Sequence, residues 1–210
     1  MPSLLERNPD ISIIIPVYNL ERFLQPMLDS LAAQNLGDYT AEIIFVLNNC
    51  TDDSEGVIRR SRIACRIINC TTQGCGPARN AGYEIATGKY IWFLDGDDWL
   101  LTNTAVRDVL DKAYDGDLNI VYIPFASDTF TWQYFSMVPQ YLLRREYVSE
   151  FRFPNYQPAE DDAYMHNVLT KAGVGRWGYV RLPKMDRPYY YYNYGREGSN
   201  MMRVASGEKI

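Results

Sequence analysis

The sequence predicts an α/β domain on a mostly parallel central sheet, with helices on both faces and an embellished C-terminal third. Three observations predict it. Short apolar, β-branched runs recur at residues 11–15, 42–47, 65–68 and 89–94. Stretches of helical character separate them, and the connections are short. The fourth run, Tyr90-Ile-Trp-Phe-Leu94, stops abruptly at Asp95-Gly-Asp-Asp98, three carboxylates in four residues. Open α/β sheets bind ligands at the C-terminal ends of their strands, so a strand that ends in charge marks that end of the sheet.

Taken in order, Ile11-Ser-Ile-Ile-Ile15 reads as a buried strand that stops at Pro16. From Leu20 to Ala33, the apolar residues Leu20, Phe23, Leu24, Met27, Leu28 and Leu31 form one helical face, broken at Gly37-Asp38. Glu42–Leu47 is a second buried strand, followed by the polar turn Asn48–Asp53 and a short helix from Ser54 to Arg60. Cys65–Ile68 is a third strand. Gly74-Cys-Gly-Pro77 reads as a loop, with Pro77 in the N1 position of a helix over Ala78–Ala86. Lys89–Leu94 is the fourth strand. Beyond Asp98 a helix is predicted over 104–114, a strand over Asn119–Ile123 and a β-prone aromatic stretch over 124–139. A short helix near 145–150 and a longer one over Asp161–Ala172 follow. Tyr189–Tyr192 would alternate faces as a strand, with core packing favoured over lining a groove.

Composition removes several function classes. With 21 Lys and Arg against 26 Asp and Glu, the net charge of −5 argues against a nucleic-acid partner. No apolar run approaches the roughly 20 residues that span a bilayer. The opening Met1-Pro-Ser-Leu-Leu-Glu6 has no charged-then-apolar signal pattern, so a cytoplasmic location is expected. Cys50, Cys65, Cys70 and Cys75 form no Cys-x-x-Cys pair and read as reduced thiols rather than a zinc site. His166, the only histidine, reads as a surface or half-buried residue. The 17 tyrosines, concentrated toward the C-terminus, suit sugars, nucleobases or half-buried strands equally. The cluster Asp95, Asp97 and Asp98 needs neutralising, and a divalent cation bridging to phosphates is the natural partner.

Several motifs in order resemble the inverting family 2 glycosyltransferases of the Rossmann-like GT-A fold. Ile11-Ser-Ile-Ile-Ile-Pro-Val-Tyr-Asn19 is similar to their first strand and nucleotide loop. Asn48-Asn-Cys-Thr-Asp-Asp-Ser54 resembles the second-strand turn, and Gly76-Pro-Ala-Arg-Asn-Ala-Gly82 the Ala-Arg-Asn segment. Phe93-Leu-Asp-Gly-Asp-Asp98 matches the Asp-x-Asp motif, Glu160-Asp161 the catalytic Glu-Asp, and Gly195-Arg-Glu-Gly-Ser199 a C-terminal basic segment. The resemblance covers roughly residues 10–200.

The resemblance implies transfer of a sugar from a nucleotide-diphosphate donor, with UDP-sugars favoured, to a glycan or lipid-linked saccharide hydroxyl. It implies one domain over 1–210, about 10–100 binding the nucleotide and about 101–205 the acceptor. Asp97 and Asp95 would hold Mn2+ or Mg2+ against the diphosphate. Asp161 would be the general base, with Asp162 its nearest rival. Tyr18 and Pro16 would line the base pocket. Arg79 would reach the diphosphate or brace Asp95, and Arg196 and Ser199 would close over the diphosphate. Asn48 and Asn49 depart from the family's paired Asp, one of which contacts uracil; Asn49 can still accept from an imide N–H. A lipid-linked acceptor would require peripheral docking at the cytoplasmic face of a membrane. Two other classes are weighed. A non-catalytic nucleotide-sugar-binding relative draws its support from Asn48-Asn49. A sugar-nucleotide nucleotidyltransferase needs a Gly-rich loop after the first strand, which Pro16-Val-Tyr-Asn-Leu-Glu-Arg22 does not supply.

Overall fold

A computed structural model describes residues 8–127, 137–155, 160–174 and 185–193. Its first half alternates β1 (Ile11–Val17), α1 (Leu24–Ala32), β2 (Ala41–Asn48), α2 (Ser54–Arg60), β3 (Arg66–Cys70), α3 (Cys75–Ile85) and β4 (Tyr90–Phe93). Then come β5 (Trp99–Leu100), α4 (Ala105–Asp115), β6 (Ile120–Tyr122), β7 (Phe125–Ala126), β8 (Tyr141–Arg144), α5 (Glu160–Lys171) and β9 (Tyr190–Tyr191). The main sheet has the order β3-β2-β1-β4-β8-β6. Its strands are parallel from β3 through β4, and β8 alone is reversed, lying antiparallel to both β4 and β6.

Alternation along the strands makes two cores, one on each face. Ile11, Ile13, Ile15 and Val17 of β1 pack with Leu24, Met27 and Leu28 of α1 and with Val106, Val109 and Leu110 of α4. Ile14 faces the other way, with Ala78 and Tyr83 of α3 and Tyr164, Met165 and Val168 of α5. Helices therefore cover both faces, as the buried apolar runs predict. Helix α3 lies so close to the sheet that a Cβ on Gly82 would stand 2.4 Å from Ile14 Cγ2.

Pro16 sits inside β1, paired with Val46, and does not end the strand. The Leu94 N–H donates to Ile14 O at 3.1 Å. Two residues on, Pro16 faces the same side, where β4 has already turned away, so its missing N–H breaks no ladder.

Several boundaries move. Helix α1 starts at Leu24, because the Phe23 and Leu24 N–H groups both return to Leu20 O, at 2.8 and 3.0 Å, as a tight turn. Helix α3 starts at Cys75, which puts Pro77 third in the helix rather than first. Its absent N–H is still among the first-turn groups that lack an intrahelical partner. The helix predicted near 145–150 is a run of turns. The neighbouring Tyr-Leu-Leu-Arg segment is instead strand β8, for which no expectation existed.

A second sheet, β5-β9-β7, is built from three two-residue strands beside the acidic turn. Tyr190 packs inward with no exposure, while Tyr191 stacks on Trp99 with centroids 4.0 Å apart. Among the described residues, no helix is long and apolar enough to cross a membrane.

Candidate active site

The loops after β1 and β2 lie together at the C-terminal end of the sheet and are stitched to each other. Asn19, at φ 50°, accepts the Thr51 N–H on Oδ1 at 2.8 Å. Asp52 Oδ2 accepts the Glu21 N–H, and Ser54 Oγ accepts the Leu20 N–H, each at 2.9 Å. None of these residues was a sequence candidate; a polar pair of loops gives no sign of who bonds to whom. Tyr18 projects from this edge with 42% exposure.

Asn48 and Asn49 have separate tasks. Asn48 is buried and donates through Nδ2 to Cys70 O (3.0 Å) and Thr72 O (2.7 Å), while its Oδ1 accepts the Gly74 N–H (2.9 Å). Those bonds hold the loop that leads into α3, and two of them need an amide donor, which aspartate lacks. Asn49 is exposed, at φ 56°, and its Nδ2 donates to Thr71 O at 3.2 Å; among the described residues its Oδ1 accepts nothing.

The β4 run ends in a tight turn closed by Asp98 N–H on Asp95 O at 3.1 Å. A Cβ on Gly96 would stand 2.7 Å from Leu20 Cδ1 and 3.3 Å from Pro16 O, so the turn lies directly on the end of β1. Pro16 is buried, with its carbonyl facing Gly96. Asp95 and Asp97 are half-buried. Asp98 is fully buried, and its Oδ1 accepts the Asn193 N–H at 2.9 Å, which anchors the end of β9.

Arg79 is the hub. Its side chain is 3% exposed and reaches three carboxylates from two other elements. One amino group donates to Asp95 Oδ1 at 2.7 Å; the other donates to Asp161 Oδ1 at 2.5 Å and Glu160 Oε1 at 3.3 Å. Its guanidinium carbon lies 5.4 Å from the centre of the Phe153 ring. The structure thus places Arg79 as a brace between the acidic turn and the start of α5.

Burial pushes the Asp161 carboxyl up to about 7; Arg79 opposes this, while Glu160 and Asp95 add to it as like charges. Burial likewise pushes Cys75 up to about 12, which leaves an unreactive thiol next to the hub. All four cysteines are free, and His166 lies on the exposed side of α5. Arg196 and Ser199 lie outside the described residues.

The donor set suits a hard divalent ion. Asp95, Glu160 and Asp161 share one guanidinium, so three carboxyl groups meet a single cation next to the turn that carries Asp97. Among the described residues, no three His, Cys, Asp or Glu side chains form a complete metal cage. A cation here would therefore draw further ligands from phosphate oxygens and water.

Known structures share this architecture, which is the GT-A fold. The S. aureus TarS 1–349 complex with UDP-GlcNAc superposes with a TM-score of 0.75 at 21% identity, over 96% of this chain and 62% of that one. The Pyrobaculum calidifontis mannosyltransferase PcManGT, solved with GDP-Man and Mn2+, gives 0.70 at 16% identity, over 96% and 61%. Residues 12–181 match Glycosyl transferase family 2, and the chain belongs to that family. The poly(ribitol-phosphate) beta-glucosyltransferase of Bacillus spizizenii is 28% identical over 91% of this chain and 33% of its own length. The chain spans 25–33% of the length of the first curated relatives it matches.

Proposed function

We propose that the chain is an inverting glycosyltransferase that moves a sugar from a UDP-sugar to a hydroxyl of a glycan or lipid-linked saccharide. Asp161 is its general base, and Asp95 and Asp97 hold Mn2+ or Mg2+. One observation carries this reading: the Arg79 guanidinium joins Asp95 at the end of β4 to Asp161 at the start of α5, at 2.7 and 2.5 Å. Sugar transfer needs a site for the departing diphosphate and a base for the incoming hydroxyl, held on opposite sides of one carbon. A rigid cation that spans both carboxylates sets that separation.

Asp161 takes the acceptor hydroxyl's proton as the new bond forms. A carboxyl pushed up to about 7 is matched to that work at neutral pH. Attack from the side of Asp161, opposite the diphosphate, inverts the anomeric centre. When bound, the divalent ion supplies Lewis-acid stabilisation to the departing diphosphate oxygen. Asn49 Oδ1 accepts from the uracil imide, and Tyr18 stacks on the ring. Arg196 and Ser199, which lie outside the described residues, are assigned to the diphosphate on the family resemblance.

Uridine is supported by the TarS complex with UDP-GlcNAc, and the metal by the PcManGT complex with Mn2+. A polymeric acceptor is supported by the poly(ribitol-phosphate) glucosyltransferase and a lipid-linked one by the GalNAc(5)-diNAcBac-PP-undecaprenol beta-1,3-glucosyltransferase of Campylobacter jejuni; a lipid-linked acceptor would be met at the cytoplasmic face of a membrane. Residues from about 10 to 100 form the donor half of one domain, and those from about 101 to 205 the acceptor half.

The test is UDP release from a panel of UDP-sugars with Mn2+, alongside UDP binding by Asp97→Ala. Transfer or donor hydrolysis, abolished with the metal site, is expected. Neither transfer nor hydrolysis, with UDP binding unchanged in Asp97→Ala, overturns the reading.

A further inference from the structure

Phe153 touches all three elements that meet at the Arg79 hub. Its ring stacks flat on Tyr164 of α5, with centroids 3.9 Å apart, and stands edge-to-face to Phe93 of β4 at 5.1 Å. The Arg79 guanidinium of α3 lies over the same ring at 5.4 Å. Tyr164 is one helical turn after Asp161 on α5, and Phe93 is two residues before Asp95. One buried ring therefore packs against the supports of Asp95, Arg79 and Asp161 together.

The backbone of Phe153 is held by Asn80, the residue after Arg79 in α3. Asn80 Nδ2 donates to Phe153 O at 2.8 Å, and Asn80 Oδ1 accepts the Phe153 N–H at 2.9 Å. Aspartate has the same shape but cannot donate, so the two-bond clamp needs the amide. One turn earlier on the same face of α3, a Cβ on Gly76 would stand 2.6 Å from Pro154 O and 3.1 Å from Phe153 Cβ. No gap lets the segment move toward the helix, and the Asn80 bonds stop it from moving away.

We propose that Asn80 is a positioning residue: by clamping Phe153 it seats that ring beside Arg79 and fixes where Asp161 stands relative to Asp95, a role that rests on the glycosyltransferase reading above. Among the described residues both side-chain bonds of Asn80 go to Phe153, so its effect reaches the site through that ring. The acidic turn is carried by β4 and lies on the end of β1, whereas Tyr164 of α5 is seated on Phe153. Loss of the clamp therefore shifts the base and leaves the diphosphate side in place.

The experiment compares Asn80→Ala and Phe153→Leu with the unmodified chain, at a temperature where circular dichroism shows each variant folded. Calorimetry in Mn2+ gives the UDP affinity. UDP release at saturating donor, from whichever UDP-sugar of the panel above turns over and with water standing in for the acceptor hydroxyl, gives kcat. UDP affinity is expected to hold within about twofold. The kcat is expected to fall about 5- to 100-fold, the effect of a misplacement of about 1 Å. Asn80→Ala opens the clamp; Phe153→Leu keeps the clamp, removes the ring, and carries the test if Asn80→Ala does not fold. Tyr83→Phe is the control: it removes one hydrogen bond from the same helix, to Arg145 O at 3.0 Å, and both kcat and UDP affinity should hold. A kcat within about fivefold of the unmodified chain overturns the proposal. So does an equal loss of UDP affinity, or an equal loss of kcat in Tyr83→Phe, since either marks general damage to α3. If the unmodified chain releases UDP from no donor of the panel, the glycosyltransferase reading fails and this inference falls with it. Turnover by the unmodified chain that ignores both variants removes this inference alone.

Discussion

Replacing Arg79 with Met tests whether one cation couples the two halves of the site. Methionine keeps much of the volume and removes the charge. In the native protein the guanidinium contacts Asp95, Glu160 and Asp161, whose side chains are 28%, 11% and 21% exposed. Breaking a buried pair by removing one partner costs about 3–5 kcal/mol; the partial water access of these carboxylates argues for the lower end, about 3 kcal/mol. Urea unfolding measures that loss. The second effect is on ionisation. Arg79 favours the charged form of Asp161 against burial and the like charges of Glu160 and Asp95. Without it, Asp161 keeps its proton to higher pH. The active form of a general base is the deprotonated one, so activity rises with pH through the base's pKa. The ascending limb of kcat/KM, which reports the free enzyme, should lie near pH 7 in the native chain, where Asp161 is pushed up to about 7, and move upward in Arg79→Met. The plateau should also fall by about 10²-fold or more as the base loses its orientation. A limb that stays in place or moves down, with stability changed by less than about 0.5 kcal/mol, refutes the coupling.

Three other substitutions address single contacts. Asn48→Asp removes the two donated bonds to Cys70 O and Thr72 O and buries a charge beside those carbonyls; a loss of about 2–4 kcal/mol is expected in chemical denaturation. Gly96→Ala drives a methyl to 2.7 Å from Leu20 Cδ1 and 3.3 Å from Pro16 O, which displaces the acidic turn. Mn2+-dependent UDP affinity should fall about tenfold, with metal-free UDP binding little changed. Asp98→Ala removes the acceptor for the Asn193 N–H; about 1–2 kcal/mol of stability should be lost, and amide hydrogen exchange over residues 189–193 should speed up while β1 and β4 stay protected.

The parallel half of the fold was legible because its strands are buried on both faces and stand as unbroken apolar runs. Ile11–Val17 and Tyr90–Phe93 are buried at every position, and only a central strand in a layered α/β fold sustains that. The strands β5, β7 and β9 have two residues each, too few for any period to show. Strand β8 is a short Leu-rich segment whose state is decided by the vacant edge of β4 and not by local preference. The same division runs through the site. The acidic turn was visible because charge stops an apolar run at one place in the chain. For Arg79 the resemblance implied the brace on Asp95, which the structure shows, but not the contacts to Glu160 and Asp161, which lie 81 and 82 positions away, since no local pattern distinguishes a buried hub from a surface cation in the first turns of a helix.

Asn48 and Asn49 show how a departure from a motif changes meaning once the bonds are seen. Read as a pair, they stand for two lost carboxylates and a weakened base pocket, which favours a chain that binds nucleotide sugar without turnover. The geometry separates them. Asn48 spends both amide protons on Cys70 O and Thr72 O and its oxygen on the Gly74 N–H, with 4% of its surface exposed. Aspartate cannot donate to either carbonyl, so the loop that delivers α3, and with it Arg79, requires an amide at this position. That substitution supports the Arg79 hub and gives the non-catalytic reading no support. Of the pair, only Asn49 would be left for the nucleobase on the proposed function; it is exposed and its amide donates to Thr71 O at 3.2 Å. A neutral acceptor there forgoes the charge-assisted bond that a carboxylate makes to an imide N–H, so on the proposed function the diphosphate end, through Asp95 and Asp97, would supply a larger share of the donor's affinity.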